Sequence, residues 1–232
     1  MKDAFFVSGS GDIESLALFQ QGAFLVQDPA ARLAVLAAGL QPGMCVLDGC
    51  AAPGGKSFAA AMLMENTGHI ISCDIHPHKV QLLQKGAHRL GIKILEARLQ
   101  DARENITDYV DSMDVVIADV PCSGLGVIRK KPDIRYNDIS RMENLPEIQG
   151  EILNNLSTYV RPGGVLLYST CTVLKRENEQ IVTAFIQAHP DFALEPFDAP
   201  IPSESTNDGM LTLLPSIHDT DGFFICKMRR TE

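Results

Sequence analysis

Residues 44–56 read MCVLDGCAAPGGK: a short apolar run, an aspartate, and a turn of small residues that ends in Gly-Gly-Lys. A short apolar run bounded by turn residues predicts a buried strand. Small residues after a strand let the backbone approach a ligand closely. Residues 57–64 then predict a helix, whose first N–H groups are free to bind a ligand. We therefore predict a strand, a ligand-binding turn and a helix.

The same alternation of apolar runs and amphipathic stretches continues along the 232-residue chain. Further strands are predicted at 69–75, 93–101, 114–120, 163–170 and 222–228, and further helices at 76–91, 146–160 and 177–190. Strands that alternate with helices favour a mostly parallel sheet covered by helices. We expect a Rossmann-like α/β fold. Residues 196–220, rich in Pro, Ser, Asp and Thr, are predicted to form a long loop.

Composition excludes several classes of protein. The hydrophobic fraction of 45% and charged fraction of 21% are ordinary for a globular chain. No apolar run approaches the roughly 18 residues of a membrane span, and the first residues lack a signal-peptide pattern. Six cysteines without C-x-x-C spacing argue against a zinc site or a disulfide scaffold. We expect a cytoplasmic monomer with no membrane partner and no metal.

Charge along the chain is uneven. The net charge of −9 disfavours a phosphate-binding surface overall, but residues 129–141, RKKPDIRYNDISR, hold five basic residues and two acidic ones. A local patch of this kind can bind a phosphate backbone, although a solvated loop can have the same composition. The candidate phosphate-binding residues are Arg129, Lys130, Lys131 and Arg135.

Acidic residues follow the predicted strands where a nucleoside cofactor would bind. Asp74, twenty residues after Gly54, is placed to accept hydrogen bonds from ribose hydroxyls, and Asp101 could hold an adenine amino group. A phosphate loop would need glycine at Cys50, and a dinucleotide fingerprint would need it at Ala51. The candidate cofactor-binding residues are Cys50, Ala51, Ala52, Pro53, Gly54, Gly55, Lys56, Asp74, Asp101 and Asp119.

Two cysteines follow the fourth and fifth apolar runs. Asp119-Val-Pro-Cys122 ends one run and Ser-Thr-Cys171 ends the other, so the thiols should meet if these strands are neighbours. A thiolate that adds to C6 of cytosine makes C5 nucleophilic enough to accept a methyl group. Cysteines in buried strands are most often structural, but two at adjacent strand ends beside a cofactor turn favour catalysis. The candidate catalytic residues are Cys171, Cys122 and Asp119.

Long segments resemble one family. VLDGCAAPGGKS (46–57), DVPCSGLGVIRKKPDIRY (119–136) and LLYSTCTVLKREN (166–178) resemble the signatures of RNA 5-methylcytosine methyltransferases, in particular the bacterial 16S ribosomal RNA methyltransferase B (Sun/Fmu) branch. FLVQDPAARL (24–33) and TDGFFICKM (220–228) are also similar to that branch, so the resemblance runs from about Gly22 to Met228.

The resemblance implies a seven-stranded sheet, S-adenosyl-L-methionine as cofactor, and small-subunit ribosomal RNA as partner. It implies that Cys171 is the nucleophile, that Cys122 assists product release, and that Asp119 contacts the cytosine. It makes RNA the ligand of the basic patch at 129–141.

Family members usually carry an N-terminal RNA-binding domain. We therefore expect residues 1–25 to be a lead-in or remnant of such an extension, and residues 26–232 to be the methyltransferase catalytic domain. Two other interpretations stay open. One is a methyltransferase-like assembly factor that binds ribosomal RNA without turnover, which the intact Cys122 and Cys171 disfavour. The other is a nucleotide-dependent enzyme of another Rossmann class.

Overall fold

The computed structural model describes residues 4–136, 142–200, 206 and 208–231. Its helices are α1 (Ala17–Gln20), α2 (Pro29–Ala37), α3 (Gly55–Leu63), α4 (Pro77–Arg89), α5 (Leu145–Ser157), α6 (Glu179–Ala188) and α7 (Pro215–His218). Its strands are β1 (Cys45–Asp48), β2 (His69–Asp74), β3 (Leu95–Leu99), β4 (Met113–Asp119), β5 (Val160–Thr170), β6 (Phe192–Leu194), β7 (Met210–Leu213) and β8 (Phe223–Arg230). Among these described helices, none is long and apolar enough to cross a membrane.

The strands form one sheet in the order β3-β2-β1-β4-β5-β8-β6, with β7 also paired to β8. Pairing is parallel from β3 to β5, while β8 runs antiparallel to β5, β6 and β7. The strand order reverses between β1 and β4, and ligands of open α/β sheets bind at the carboxyl ends beside such a reversal. The predicted Rossmann-like α/β fold is confirmed.

Two sequence-based expectations about the sheet are wrong. Within the described residues the sheet has eight strands instead of seven. Residues 196–220 are not a continuous loop, because they contain β7 and α7. Strand β7 forms where Leu211 and Leu213 bury their side chains and its backbone pairs with β8. A four-residue strand carries too little periodic signal to be recognised without its pairing partner.

The central strands are buried on both faces, which explains their continuous apolar runs. Alternate residues point to opposite sides. Val46 and Ile117 lie in the core beneath α2 and α3. Leu47 and Val116 lie in the core beneath α5 and α6. Strands β1 and β4 therefore have no polar face, and their polar residues lie at or next to their ends.

Residues near the N-terminus pack against the end of α4. The Arg89 guanidinium donates hydrogen bonds to the carbonyl oxygens of Phe19 (2.7 Å) and Phe24 (3.2 Å) and lies 3.8 Å from the centre of the Phe19 ring. A Cβ at Gly22 would lie 1.8 Å from the Arg89 carbonyl oxygen, so this close approach requires glycine. The division into 1–25 and 26–232 stays a prediction.

Candidate active site

Two parallel strand ends bring Cys122 and Cys171 together. Strands β4 and β5 are paired so that Asp119 lies opposite Ser169. The segments that follow these two strands therefore leave the sheet at the same level. The two Sγ atoms lie 3.1 Å apart. The meeting of the two thiols, expected if these strands are neighbours, is thus present in the structure.

The pKa values of the two thiols are shifted in opposite directions. A hydrogen bond from the Cys122 thiol lowers the pKa of Cys171, and the nearby charge of Lys56 acts in the same direction, against burial. The same hydrogen bond, together with burial, raises the pKa of Cys122 well above its ordinary value. The pair therefore favours a thiolate on Cys171 and a protonated donor on Cys122.

A lysine and a serine hold the carboxylate of Asp119 beside the thiols. Lys56 Nζ lies 2.6 Å from Asp119 Oδ2, and Ser169 Oγ donates to Asp119 Oδ1 at 2.7 Å. Lys56 Nζ also lies 4.9 Å from the centre of the Phe223 ring. The Lys56 side chain is only 10% exposed, so the ion pair is poorly screened by solvent.

The Lys56–Asp119 pair joins the turn after β1 to the end of β4, and this pairing was not predicted from the sequence. Lys56 was predicted only as a cofactor-binding residue. The sequence signal for this ion pair was a lysine at the start of an apolar helix, because a buried ammonium group requires a counter-charge. The pattern did not show which carboxylate supplies that charge, because the partners are far apart in the chain.

Backbone hydrogen bonds shape the turn that follows β1. The Ala51 N–H donates to the Cys73 carbonyl oxygen and the Gly54 N–H donates to the Ala51 carbonyl oxygen, both at 2.8 Å. Gly54 has a φ of +109°, and a Cβ there would lie 2.3 Å from the ring of Phe58. Glycine at position 54 therefore lets the turn enter α3 directly above that ring.

Asp48 is a fully buried carboxyl beneath this turn. Its Oδ2 accepts a hydrogen bond from Ser57 Oγ at 2.6 Å, while its Oδ1 has no partner among the described residues. Burial raises the pKa of Asp48 to about 7. Burial also raises the pKa of Cys50 well above its ordinary value, and the Asp48 and Asp119 charges add to this effect. Both effects favour the protonated form of the Cys50 thiol.

The two acids predicted to bind a nucleoside differ in their surroundings. Asp74 ends β2, is nearly buried, and accepts the His76 N–H at 2.9 Å, with Lys79 Nζ at 3.5 Å. Asp101 lies two residues beyond β3, and its carboxylate is bound by the Arg103 guanidinium at 2.7 Å, which lowers its pKa. A ligand at Asp101 would compete with Arg103. Both cofactor roles stay predictions.

Two residues of the basic patch form ion pairs within the chain. Lys130 Nζ lies 2.8 Å from Asp221 Oδ2 and also pairs with Asp28. Arg129 lies 3.5 Å from both Asp219 and Asp221. These pairs tie the segment after Cys122 to the start of α2 and to the turn before β8. Part of the patch's positive charge is therefore neutralised.

Two other basic residues of the patch remain open to solvent. Lys131 and Arg135 are exposed, and neither forms an ion pair among the described residues. Arg141, the last basic residue of the segment, lies outside the described residues. The prediction that the patch binds RNA is untested, and Lys131 and Arg135 are its strongest candidates.

Sequence comparison identifies relatives over almost the whole chain. The family model for 16S rRNA methyltransferase RsmB/F matches residues 35–229. The probable ribosomal RNA small subunit methyltransferase B of Bacillus subtilis is 43% identical, over 95% of this chain and 51% of that protein. The ribosomal RNA small subunit methyltransferase F of Serratia proteamaculans is 34% identical, over 93% and 47%. The chain spans about half the length of the curated relatives it matches.

Solved structures agree with this assignment. NSun6 from Pyrococcus horikoshii, solved with SFG, superposes with a TM-score of 0.83 and 29% identity, over 95% of this chain and 56% of that one. A methyltransferase homolog protein from the same organism gives a TM-score of 0.79 and 27% identity, over 94% and 72%. The family expected from the motifs is confirmed. This chain belongs to the RsmB/F family of 16S rRNA methyltransferases.

Proposed function

We propose that this chain transfers a methyl group from S-adenosylmethionine to C5 of a cytosine in small-subunit ribosomal RNA, with Cys171 as the nucleophile. The family and the names of its relatives support methylation of that RNA. The observation that carries the C5 chemistry is the 3.1 Å contact between Cys122 and Cys171 with its unequal acidities.

The residues around the turn fit a nucleoside cofactor that carries an amino group. Asp48 Oδ1 is a buried acceptor without a donor among the described residues. Asp74 offers a carboxylate at the neighbouring strand end. The turn at 50–56 would surround the cofactor, which would supply an electrophilic methyl group when bound. The relative solved with SFG superposes on 95% of this chain with a TM-score of 0.83.

The side chains can perform each step on the base. The Cys171 thiolate adds to C6 of the cytosine, which opens the C5–C6 double bond and makes C5 nucleophilic. Asp119, held by Lys56 and Ser169, contacts the cytosine ring. Once C5 carries the methyl group, a general base takes the C5 proton, the electron pair of that C–H bond re-forms the C5–C6 double bond, and the bond between C6 and sulfur breaks to return the thiolate to Cys171. Cys122, adjacent to that sulfur, assists this release.

The test is transfer of labelled methyl groups from S-adenosylmethionine to small-subunit ribosomal RNA. Wild type should label cytosine C5, Cys171→Ala should abolish labelling, and Cys122→Ala should trap a protein–RNA adduct. Cys45→Ala is the matched control, because this half-buried thiol lies at the amino end of β1, away from the carboxyl ends of β4 and β5 that Cys122 and Cys171 follow. Cofactor binding without transfer by wild type would contradict the proposal and favour an assembly factor.

Calorimetry with S-adenosylmethionine, NAD and ATP tests the cofactor separately. We expect binding of S-adenosylmethionine alone, weakened at least about tenfold in Asp74→Ala because a ribose hydroxyl would lose a charged acceptor. Binding of NAD or ATP instead would favour another class of Rossmann enzyme.

A further inference from the structure

Two consecutive polar residues beyond Cys171 are fully buried. Glu177 ends a short 3-10 turn, Asn178 precedes α6, and both side chains have no exposed surface. Burying a carboxylate or an amide is costly unless specific hydrogen bonds replace those made with water. The partners of Glu177 and Asn178 therefore indicate why these residue types are present.

Glu177 holds the segment around Cys122. Its Oε2 accepts hydrogen bonds from the Ser123 N–H at 2.9 Å and from Gln149 Nε2 at 3.0 Å. Gln149, also fully buried, donates to the Pro121 carbonyl oxygen at 2.9 Å. The residues on both sides of Cys122 are thus anchored to Glu177, one directly and one through Gln149.

Asn178 holds the segment around Cys171 in the same way. Its Oδ1 accepts a hydrogen bond from Thr170 Oγ1 at 2.6 Å, and its Nδ2 donates to the Thr172 carbonyl oxygen at 3.0 Å. One further bond joins the two segments, because Ser123 Oγ lies 2.8 Å from Thr172 Oγ1. Neighbours in the chain, Glu177 and Asn178 thus each hold one of the two cysteine segments.

We propose that Glu177 and Asn178 are positioning residues that set the separation of the Cys122 and Cys171 sulfur atoms. The hydrogen bonds of both side chains go to residues beside the cysteines and to Gln149, and not to the sulfur atoms. They act through the backbone of the residues that flank each cysteine. The catalytic meaning of this role rests on the proposed function, whereas the role itself concerns only the geometry of two thiols.

The sulfur separation has a chemical consequence. The hydrogen bond from Cys122 is the largest influence that lowers the pKa of Cys171. Hydrogen bonds weaken steeply as their geometry departs from the optimum, so a looser Cys122 segment would return Cys171 towards ordinary thiol acidity. Fewer molecules would then carry the Cys171 thiolate at neutral pH.

Thiol chemistry tests this role without RNA or cofactor. The pH profile of Cys171 alkylation by iodoacetamide and the rate of diamide-induced Cys122–Cys171 disulfide formation are measured by peptide mapping. Glu177→Ala and Asn178→Ala should each raise the alkylation midpoint by about one pH unit, which is about tenfold in thiolate at neutral pH. Both should also slow disulfide formation, because the sulfurs no longer lie together.

Milder variants keep the test decisive if an alanine variant fails to fold. Gln149→Met keeps side-chain volume but removes the bonds to Glu177 and Pro121, and should shift both readouts in the same direction. Glu177→Gln keeps an acceptor for the Ser123 N–H and should retain most wild-type behaviour. Glu147→Ala, an exposed change on α5, is the matched control.

Unchanged midpoints and disulfide rates in folded Glu177→Ala and Asn178→Ala, or in Gln149→Met, would overturn the positioning role. Because the assay contains neither RNA nor cofactor, this outcome would leave the methyl transfer proposal standing. Conversely, absence of methyl transfer would not alter the thiol measurements.

Discussion

Alanine at Gly126 should disrupt the contact between the loop that follows Cys122 and the turn before β8. The Gly126 N–H donates to the Cys171 carbonyl oxygen at 3.0 Å, and the Gly222 N–H donates to the Gly126 carbonyl oxygen at 2.9 Å. A Cβ at position 126 would lie 1.9 Å from the Gly222 carbonyl oxygen and 2.8 Å from that of Cys171. Both neighbours are backbone atoms, so neither can move aside alone.

The cost of Gly126→Ala follows from these distances. Contacts of this kind ordinarily lie at 3.4–4 Å, so the two backbones must separate by more than an ångström. That movement breaks both hydrogen bonds, each of which contributes about 1 kcal/mol. Residual overpacking adds about 1–3 kcal/mol. We expect a loss of about 3–5 kcal/mol, a large part of the stability of an ordinary domain.

Urea unfolding of Gly126→Ala against wild type measures this loss. Gly150→Ala is the matched control, because Gly150 lies inside α5 and a Cβ there meets no atom within 4 Å. The control should be more stable than wild type by up to about 1 kcal/mol, since alanine favours helix. A Gly126→Ala protein within about 0.5 kcal/mol of wild type, the size of an ordinary surface substitution, would refute the reasoning.

Three further predictions follow from the charges of the site. The pKa of Cys171 is lowered mainly by its hydrogen bond from Cys122, so alkylation of Cys171 should be lost as pH falls through a midpoint below that of an ordinary cysteine, and Cys122→Ala should raise that midpoint. Equal midpoints would contradict this. Burial raises the pKa of Asp48 to about 7. The contribution of Asp48 to the free energy of unfolding is therefore present at acid pH and is lost as pH rises through 7. The free energy of unfolding of Asp48→Asn, measured with urea, should therefore rise relative to that of wild type by up to about 3 kcal/mol between pH 5 and pH 8. A difference between the two proteins that does not change with pH would exclude the effect. Lys131→Glu and Arg135→Glu should each weaken binding of ribosomal RNA and reduce the salt slope by about one, whereas binding unchanged at every salt concentration would remove them from the interface.

Much of the fold was predictable from residues close together in the chain. The run Val46–Leu47 is apolar on consecutive positions because β1 is buried on both faces, and Gly54 follows it because the turn needs a positive φ. Cys122 and Cys171 were predicted to meet because each follows a buried strand, and the ends of neighbouring parallel strands share one edge. Hydrophobic period and turn chemistry are local properties, so the sequence displays them directly.

The partners of the charged residues depended on distant parts of the chain. Local composition made Arg129 and Lys130 candidate phosphate-binding residues, and the fold places Asp28 and Asp221 against them. Composition likewise gave no sign that Glu177 would reach the Ser123 N–H. Such pairs form where loops of different strands converge, and burial then makes each unpaired polar group costly. Local sequence specifies which groups need partners, whereas the three-dimensional path of the chain selects the partners themselves.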